Sequence, residues 1–492
     1  MGEVAPVLTK TMNYDIIKLG VWRLIEKFDG KAGFGLGDAR AYISALTDIV
    51  VLEQGLDYVS ALMEALRHAE AVYSTQGYKG IVDDYGRVYK RWLELDRSKL
   101  VADKYLSAVP RPRQEKNYLG QELTVISLFT GAYGLDLGFE LAGFNVTVAL
   151  DISEDSYNNL RANRPKVPFL LGDIKRFSTA DILREAGLKP GEVDVITGGP
   201  PCQPFSPAGK RLSLNDPRAA PLMDFIRVIR EARPKVFVME EVPGILSARI
   251  KHVPIRERGK RPLAPEEEPG SAWRVVLDEL NKTGYRIVWK VLNAADYGAP
   301  QVRERVIVVG VRPDLNRPPV FPEPSYSRKP VNLFGTLKPW VTLAEALAGI
   351  RDHIGLVPLP PKYAQYIRYV PPGGNWRQIP DELKPDAMNG AYKAGGGRMG
   401  FYRRLTWFEP SPTLVTSPAM KATMMVHPWE DRPLSVREYL RIQGFPDDWR
   451  VVVPAQDAYR LFGEAVPVPL AYAIAKTIRE RIIVEKQVTR HG

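Results

Sequence analysis

The chain of 492 residues is longer than a single hydrophobic core usually serves, which predicts two or three domains. Its composition, 45% hydrophobic and 25% charged, is that of a globular protein. It has neither an apolar run of 18 residues nor a charged-then-apolar leader, so we expect no membrane span, no secretion signal and a cytoplasmic location. Lysine and arginine outnumber aspartate and glutamate by 68 to 57, which favours a polyanionic partner. The single cysteine excludes a disulfide framework and a cysteine-rich metal site.

Residues 1–115 are expected to form a helical module. Between residues 38 and 73, apolar residues recur at three- and four-residue spacing, which is the pattern of amphipathic helices. Charge is nearly balanced here, with 17 basic against 16 acidic side chains up to residue 117, which argues against a strong DNA-binding arm. A docking or dimerisation module is the remaining interpretation. Prolines and charges without periodicity at 109–121 predict a linker.

From residue 116 onward, short apolar runs of β-forming residues alternate with helical stretches. The runs lie at 123–129, 144–151, 193–197, 234–240, 285–292 and 305–311. This alternation predicts an α/β fold with a doubly wound, mostly parallel sheet, which we assign to residues 116–315. Proline, glycine and aromatic residues dominate 316–430, which predicts a small irregular domain. Residues 431–492 are helical again and are expected to return to the sheet domain.

In such sheets, ligands bind at the carboxyl ends of the strands, so chemistry is expected in the turn after each run. Gly131 and Gly134 follow the first run and allow the backbone to approach a ligand. Asp151 ends the second run, where its carboxylate can accept hydrogen bonds from ribose hydroxyls, and Asp173 follows as a candidate partner for an adenine amine. Together they predict a nucleoside ligand, although glycine turns and helix caps alone would give the same pattern.

The only cysteine, Cys202, follows two prolines at the end of the run 193–197 rather than within it. Glu240 ends the next run, where an uncompensated carboxylate would be costly. A thiol and an acid on adjacent strand ends would form a catalytic pair. The alternative is a silent cysteine of the core.

Four blocks of the sequence resemble those of the cytosine-C5 DNA methyltransferases, in the same order. They are GGPPCQPFS around Cys202, LNAADYGAPQVRERVIVVG at 292–310, SVREYLRIQGFPDDW at 435–449 and LFGEAVPVPLAYAIA at 461–475. The resemblance spans about residues 121–480 and implies the class I S-adenosylmethionine-dependent methyltransferase fold, with 316–430 as a target-recognition domain. It implies methyl transfer to carbon 5 of a cytosine flipped out of double-stranded DNA. A cognate restriction endonuclease would belong to the same system.

The resemblance also implies a role for each candidate residue. Cys202 would add to ring carbon 6, Glu240 would hold the ring nitrogen and exocyclic amine, and Arg305, with help from Arg303, would support the ring carbonyl and Glu240. S-adenosylmethionine would be bound by Phe129, Gly131, Gly134, Asp151, Ile152, Asp173, Ile174, Pro200, Leu222, Glu464 and Val466. Duplex DNA would be contacted by Gln203, Ser206, Lys210, Arg211, Arg218, Arg403 and Arg404. The last two could instead pack against acidic neighbours.

Three positions depart from the family pattern, because Tyr133 replaces a glycine and Glu241 and Glu464 replace asparagines. Loss of heat-labile amides would explain both glutamates, and the general scarcity of asparagine and glutamine predicts a thermophilic source. Alternatively, a carboxylate at position 464 would attract the sulfonium of the cofactor.

Two other functions are open at this point. A tRNA cytosine methyltransferase would usually carry a Cys-Phe-Thr signature, and the chain has no second cysteine. A catalytically silent DNA-binding partner would be expected to have lost some of the nucleophile, the acid and the arginines, all of which are present. The glycine spacing does not fit a dinucleotide-dependent oxidoreductase.

Overall fold

The computed structural model describes residues 4–28, 36–96, 99–100, 123–201, 220–251, 253, 260–328, 337–393 and 400–483. The described residues of the N-terminal part fold into α1 (Val4–Phe28), α2 (Leu36–Gln54) and α3 (Tyr58–Glu94). Asp57 caps α3, and the helix is kinked at Gly77, whose φ is 66°. The helical prediction for this region is confirmed, whereas the predicted linker at 109–121 lies outside the described residues.

Seven strands form the central sheet, in the order β3-β2-β1-β4-β5-β8-β6. They are β1 (Leu123–Leu128), β2 (Phe144–Asp151), β3 (Phe169–Leu171), β4 (Val195–Gly198), β5 (Val236–Glu241), β6 (Arg286–Asn293) and β8 (Glu304–Val311), with the short β7 (Gln301–Val302) outside the sheet. The pairs from β3 to β5 are parallel, while β8 runs antiparallel to both β5 and β6. The predicted mostly parallel, doubly wound sheet is confirmed.

The central strands β4, β5 and β8 are covered on both faces, which explains why they are mostly apolar, whereas the edge strand β6 is largely exposed and carries Arg286 and Lys290. Val236 and Val238 of β5 face one cluster of buried residues, and Phe237 and Met239 face the other. Helices α4 (Gly134–Leu141), α5 (Glu154–Asn163) and α15 (Val468–Ile478) contribute to the first cluster; α6 (Thr179–Ala186), α7 (Ala220–Ala232) and α8 (Ser271–Asn281) contribute to the second. At Gly138, α4 approaches α15 so closely that a Cβ would lie 2.3 Å from that of Ala471.

Within residues 316–430, the described stretches 316–328, 337–393 and 400–430 form short elements. The strands are β9 (Tyr326–Ser327), β10 (Lys338–Pro339) and β11 (Ser411–Pro412); the helices are α9 (Leu343–Leu347), α10 (Pro361–Ile367), α11 (Lys384–Met388) and α12 (Gly390–Lys393). The chain then returns to the sheet through α13 (Val436–Gln443), α14 (Ala455–Glu464) and α15. The irregular region and the helical return were both expected from the sequence.

One stretch of the described chain, Ala455–Ile483, is long and apolar enough to cross a membrane, with a mean hydropathy of 1.2 in its most apolar window. However, 67% of that window is buried inside the protein. The stretch is also interrupted, because α14 ends at Glu464 and α15 begins at Val468 after Pro467. The stretch therefore consists of two core helices, α14 and α15, whose apolar residues are buried in the protein.

Candidate active site

The strand order reverses between β1 and β4, so their carboxyl ends flank the crevice where doubly wound sheets bind ligands. In the turn after β1, Phe129 and Gly131 both have positive φ angles, of 57° and 54°. The Gly131 N–H donates to Oδ2 of Asp151 at 2.8 Å. A Cβ on Gly134 would lie 2.3 Å from the carbonyl oxygen of Val466, so only glycine fits there. The structure thus brings these five predicted cofactor residues together.

The crevice also holds the candidates from β2 and β3. Asp151 is 9% exposed and accepts a second backbone hydrogen bond from Ser153; burial raises its pKa, and the backbone bonds oppose that shift. The next residue, Ile152, presents an apolar side chain that is 69% exposed. Asp173 caps a short 3-10 turn, in which the side chain of Ile174 is buried, so that only the Ile174 backbone can face a ligand.

Glu240 and Arg305 form an ion pair on the neighbouring strands β5 and β8, with Nε of Arg305 2.6 Å from Oε1 of Glu240. Both side chains are nearly buried, at 13% and 11% exposed. Gly199, in the turn after β4, approaches so closely that a Cβ would lie 2.9 Å from Oε2 of Glu240. The turn that leads to Cys202 therefore passes directly beside this ion pair.

The second predicted arginine, Arg303, is directed elsewhere. Its side chain is 1% exposed, and its guanidinium donates to the carbonyl oxygens of Glu464 at 2.9 Å and Leu414 at 3.4 Å. These hydrogen bonds join Leu414 and Glu464 to the residue that precedes β8, the strand that carries Arg305. Help from Arg303 at the reacting base stays a prediction.

Several predicted residues follow β4 in the chain. Pro200 is described and buried. Leu222 was expected to bind the cofactor, but it is 1% exposed and packs with Phe225 and Ile226 in the core beneath the sheet, so that prediction is corrected. Six candidates lie outside the described residues: Cys202, Gln203, Ser206, Lys210, Arg211 and Arg218.

Arg404 was predicted to contact DNA, and the structure contradicts this. The side chain is 1% exposed and its guanidinium donates to the carbonyl oxygens of Val370 at 2.6 Å, Ile367 at 3.0 Å and His427 at 3.1 Å. It also pairs with Asp431. Packing against an acidic neighbour, the alternative interpretation, is correct, because this arginine joins three segments of the region 316–430.

Arg403, its neighbour, is half-buried. Its Nη2 lies 3.2 Å from the Sδ of Met425, and burial lowers the pKa of its guanidinium. A cation without a carboxylate ligand among these contacts keeps its capacity to bind a phosphate, so its role in DNA binding stays a prediction.

The three departures from the family pattern occupy different environments. Tyr133 is fully buried in the left-handed region at φ 74°, a strain of about 1–2 kcal/mol for a side chain other than glycine. A 2.6 Å hydrogen bond to Glu140 and stacking on Trp449 stabilise it there. Glu241 is 2% exposed, and burial together with the charge of Glu240 raises its pKa.

Glu464 is exposed at the end of α14, close enough to Asp151 for the two carboxylates to repel. Although the residue as a whole is exposed, the protein atoms around its carboxylate partly desolvate it and raise its pKa, against the opposing charges of Arg460 and Arg303. Arg460, one turn earlier, pairs with Asp155 at 2.6 Å, which fixes this helix end to the crevice. Both explanations of the two glutamates, and the thermophilic source, stay predictions.

Asp136 is a functional candidate that sequence reasoning missed. It lies in the first turn of α4, 1% exposed, and accepts a 3.2 Å hydrogen bond from Thr197 of β4. Burial raises its pKa to about 7, although hydrogen bonds from Ser127 and Thr197 oppose the shift. The only signal in the sequence is an acidic residue within the apolar GLDLGF segment.

We expect stability to fall as pH rises from about 4 to about 7, because folded Asp136 keeps a proton that the unfolded chain releases near pH 4. A difference of about three pH units corresponds to at most about 4 kcal/mol, and the loss is complete above pH 7. Asp136→Asn should remove this slope and be more stable than the wild type at pH 8. Chemical denaturation of both proteins between pH 5 and 8.5 measures the effect; parallel curves would contradict the assignment.

The comparisons with known proteins agree with this geometry. Residues 123–480 match the family model for C-5 cytosine-specific DNA methylase. The chain is 37% identical over 356 residues to the type II methyltransferase M.PspPI of Psychrobacter sp. (strain TA137), covering 72% of this chain and 78% of that protein. It is 34% identical over 370 residues to M.Sau96I of Staphylococcus aureus, covering 75% and 77%. A solved structure described as a DNA modification methyltransferase encoded within an E. coli prophage superposes with a TM-score of 0.50 at 25% identity, covering 73% of this chain and 99% of that one.

Proposed function

Since the chain belongs to the C-5 cytosine-specific DNA methylase family and is a DNA cytosine methyltransferase, we propose that it transfers a methyl group from S-adenosylmethionine to carbon 5 of a cytosine flipped out of duplex DNA, through a covalent bond to Cys202. The observation that carries this proposal is the Glu240–Arg305 ion pair, which lies beside the turn leading to Cys202. A charged, nearly buried pair at that edge of the sheet is suited to hold a polar base taken out of water.

The residues of the crevice fit the proposed cofactor. Asp151 offers a carboxylate to the ribose hydroxyls, Asp173 offers one to the adenine amine, and the exposed Ile152 and half-buried Phe129 offer apolar contact to the adenine ring. When bound, S-adenosylmethionine supplies an electrophilic methyl group. Glu464, at the rim of the same crevice, adds a second negative charge near Asp151.

In this mechanism, the Cys202 thiolate forms a bond to carbon 6 of the cytosine, and the electron pair displaced from the ring double bond makes carbon 5 nucleophilic. Glu240 binds the ring nitrogen and exocyclic amine, and Arg305 holds both the Glu240 carboxylate and the ring carbonyl. After carbon 5 has gained the methyl group, a base removes its proton, the double bond reforms and the thiolate leaves carbon 6.

Residues 316–430 are proposed to recognise the target sequence, and Lys210, Arg211 and Arg218 to contact phosphates. The excess of 68 basic over 57 acidic side chains favours duplex DNA as the partner. The relatives are named type II methyltransferases, so we infer that this enzyme protects cytoplasmic DNA alongside a cognate restriction endonuclease.

The test is a covalent trap. Duplex DNA in which 5-fluorocytosine replaces cytosine is incubated with the enzyme and S-adenosylmethionine. Fluorine cannot leave as a proton does, so the elimination stops. We expect an enzyme–DNA adduct that survives denaturing electrophoresis, maps to the peptide that contains Cys202 and is absent in Cys202→Ala.

Two outcomes would contradict the proposal. Methyl transfer to normal DNA without an adduct on the fluorinated duplex would exclude the covalent route. An adduct on fluorinated RNA but on no DNA would move the substrate to RNA. Sequencing of the trapped duplex identifies the recognised motif.

A further inference from the structure

The region 316–430 has little core of its own. The helices in the described part of this region are at most seven residues long, and short helices gain their stability from packing against other elements. Its separate hydrophobic cluster contains nine buried residues. The large aromatic residues Trp407, Phe408 and Trp429 instead belong to the cluster that also contains the N-terminal helices. The packing of this region therefore depends on a partner outside it.

That partner is α1–α3, which precede the family-matched residues 123–480. Tyr58 of α3 packs edge-to-face against both Trp407 and Trp429, with ring centroids 6.4 Å apart in each case. Lys18 of α1 is 1% exposed and pairs with Glu345 at 3.0 Å. A buried ion pair of this kind fixes one relative position of its two elements, because either charge alone would be costly there.

Asp48 of α2 is the most central of these contacts. It is 2% exposed, and its two carboxylate oxygens accept one hydrogen bond from Trp92 of α3 at 2.9 Å and one from Trp429 at 2.7 Å. Ser44, one turn earlier, lies 2.9 Å from the hydroxyl of Thr406. One face of α2 therefore carries hydrogen bonds to two separate segments of the region.

Gly373, in the PPGGNW block, lies directly against α2. A Cβ at this position would lie 2.7 Å from the Cβ of Arg40 and 3.1 Å from its backbone carbonyl carbon. The guanidinium of Arg40 pairs with Glu409 at 2.6 Å. The helix thus contacts the recognition region at both ends of the stretch 373–409.

The segment that α2 holds continues into the catalytic site. Two residues beyond Glu409, Ser411 begins β11, which pairs in parallel with β7 at Gln301. Leu414 then accepts the hydrogen bond from Arg303. Residues 404–414 are consequently fixed by the N-terminal helices on one side and by the strand leading to Arg305 on the other.

From these contacts we propose that α1–α3 form a brace that holds the target-recognition region at the distance from the catalytic sheet that duplex DNA requires. The inference rests on the proposed role of 316–430 in DNA recognition. The brace sets the affinity for DNA and leaves the chemical step unchanged, because Glu240 and Arg305 are held by β5 and β8, which the brace does not form. A docking module for another protein is not needed to explain these helices.

The test uses full-length Asp48→Asn, which keeps the shape of the side chain but leaves only one acceptor for two indole donors. We expect the KM for cognate duplex DNA to rise at least fivefold, with kcat and the Kd for S-adenosylmethionine within twofold of the wild type. Ser44→Ala, a milder change on the same face, should raise this KM about twofold. It keeps the test decisive if Asp48→Asn does not fold.

The matched control is Asp84→Asn. Asp84 is also buried, but its bonds to Tyr42, His68 and Arg87 stay within the N-terminal helices. We expect it to lower the Tm as Asp48→Asn does, with an unchanged KM for DNA. Equal KM values in all variants, or an equal rise in Asp48→Asn and Asp84→Asn, would overturn the brace. Wild-type enzyme that does not methylate DNA would instead overturn the proposed function.

Discussion

Replacing Glu240 by glutamine is expected to lower kcat by about a thousandfold, within the range that a positioned acid or base contributes. The amide keeps the shape of the side chain but removes the charge that pairs with Arg305 at 2.6 Å and the capacity to carry a proton to the base. It also leaves the guanidinium of Arg305, 11% exposed, without its counter-ion. Transfer of a tritiated methyl group to a cognate duplex under single-turnover conditions measures the loss.

The neighbouring Glu241 provides the matched control. It is the next residue of β5, so its side chain points to the other face of the sheet, where it is 2% exposed. Glu241→Gln should keep kcat within about threefold, since a neutral amide suits a site whose burial raises the pKa of the carboxyl group. If Glu240→Gln retained wild-type kcat, or if both variants lost it equally, Glu240 would not act on the cytosine.

The strands could be predicted because both faces of the sheet are covered. A strand covered on both faces is apolar at most positions, and this pattern is visible without knowledge of its neighbours. The run 144–151 coincides with β2, which ends at Asp151 and places this residue at the crevice as expected. Residues at the carboxyl ends of strands are therefore the part of the site whose position can best be predicted from a single sequence.

The role of each arginine could not be predicted in the same way. Arg303 and Arg305 are two residues apart, yet one binds the carbonyl oxygen of Glu464 and the other the carboxylate of Glu240. A guanidinium in a sequence has the same chemistry whether its acceptor is a phosphate or a distant backbone carbonyl. The acceptors come from segments far apart in the chain, so only the folded protein separates these roles. For the same reason, the sequence alone does not show that α1–α3 pack against residues 316–430.

Arg404→Met is expected to destabilise the protein by about 3–5 kcal/mol, which is the usual cost of removing one partner of a buried, hydrogen-bonded charge. The substitution deprives the carbonyl oxygens of Val370, Ile367 and His427 of their donor. Buried acceptors without a donor lose the hydrogen bonds that water gives them in the unfolded chain. Thermal unfolding should show a Tm lower by on the order of 10 °C.

Arg403→Met separates this structural role from a role in DNA binding. Arg403 is half-buried, and the hydrogen bond described for its side chain goes to the Sδ of Met425, so methionine in its place should cost about 1 kcal/mol or less. Below the unfolding temperature of both variants, Arg404→Met should bind DNA as the wild type does, because its guanidinium does not reach the surface. Weaker binding that depends less steeply on salt is expected only if residue 403 contacts a phosphate. A large loss of stability in Arg403→Met with none in Arg404→Met would exchange the two roles, and would mean that the hydrogen bonds of Arg404 do not hold the recognition region together.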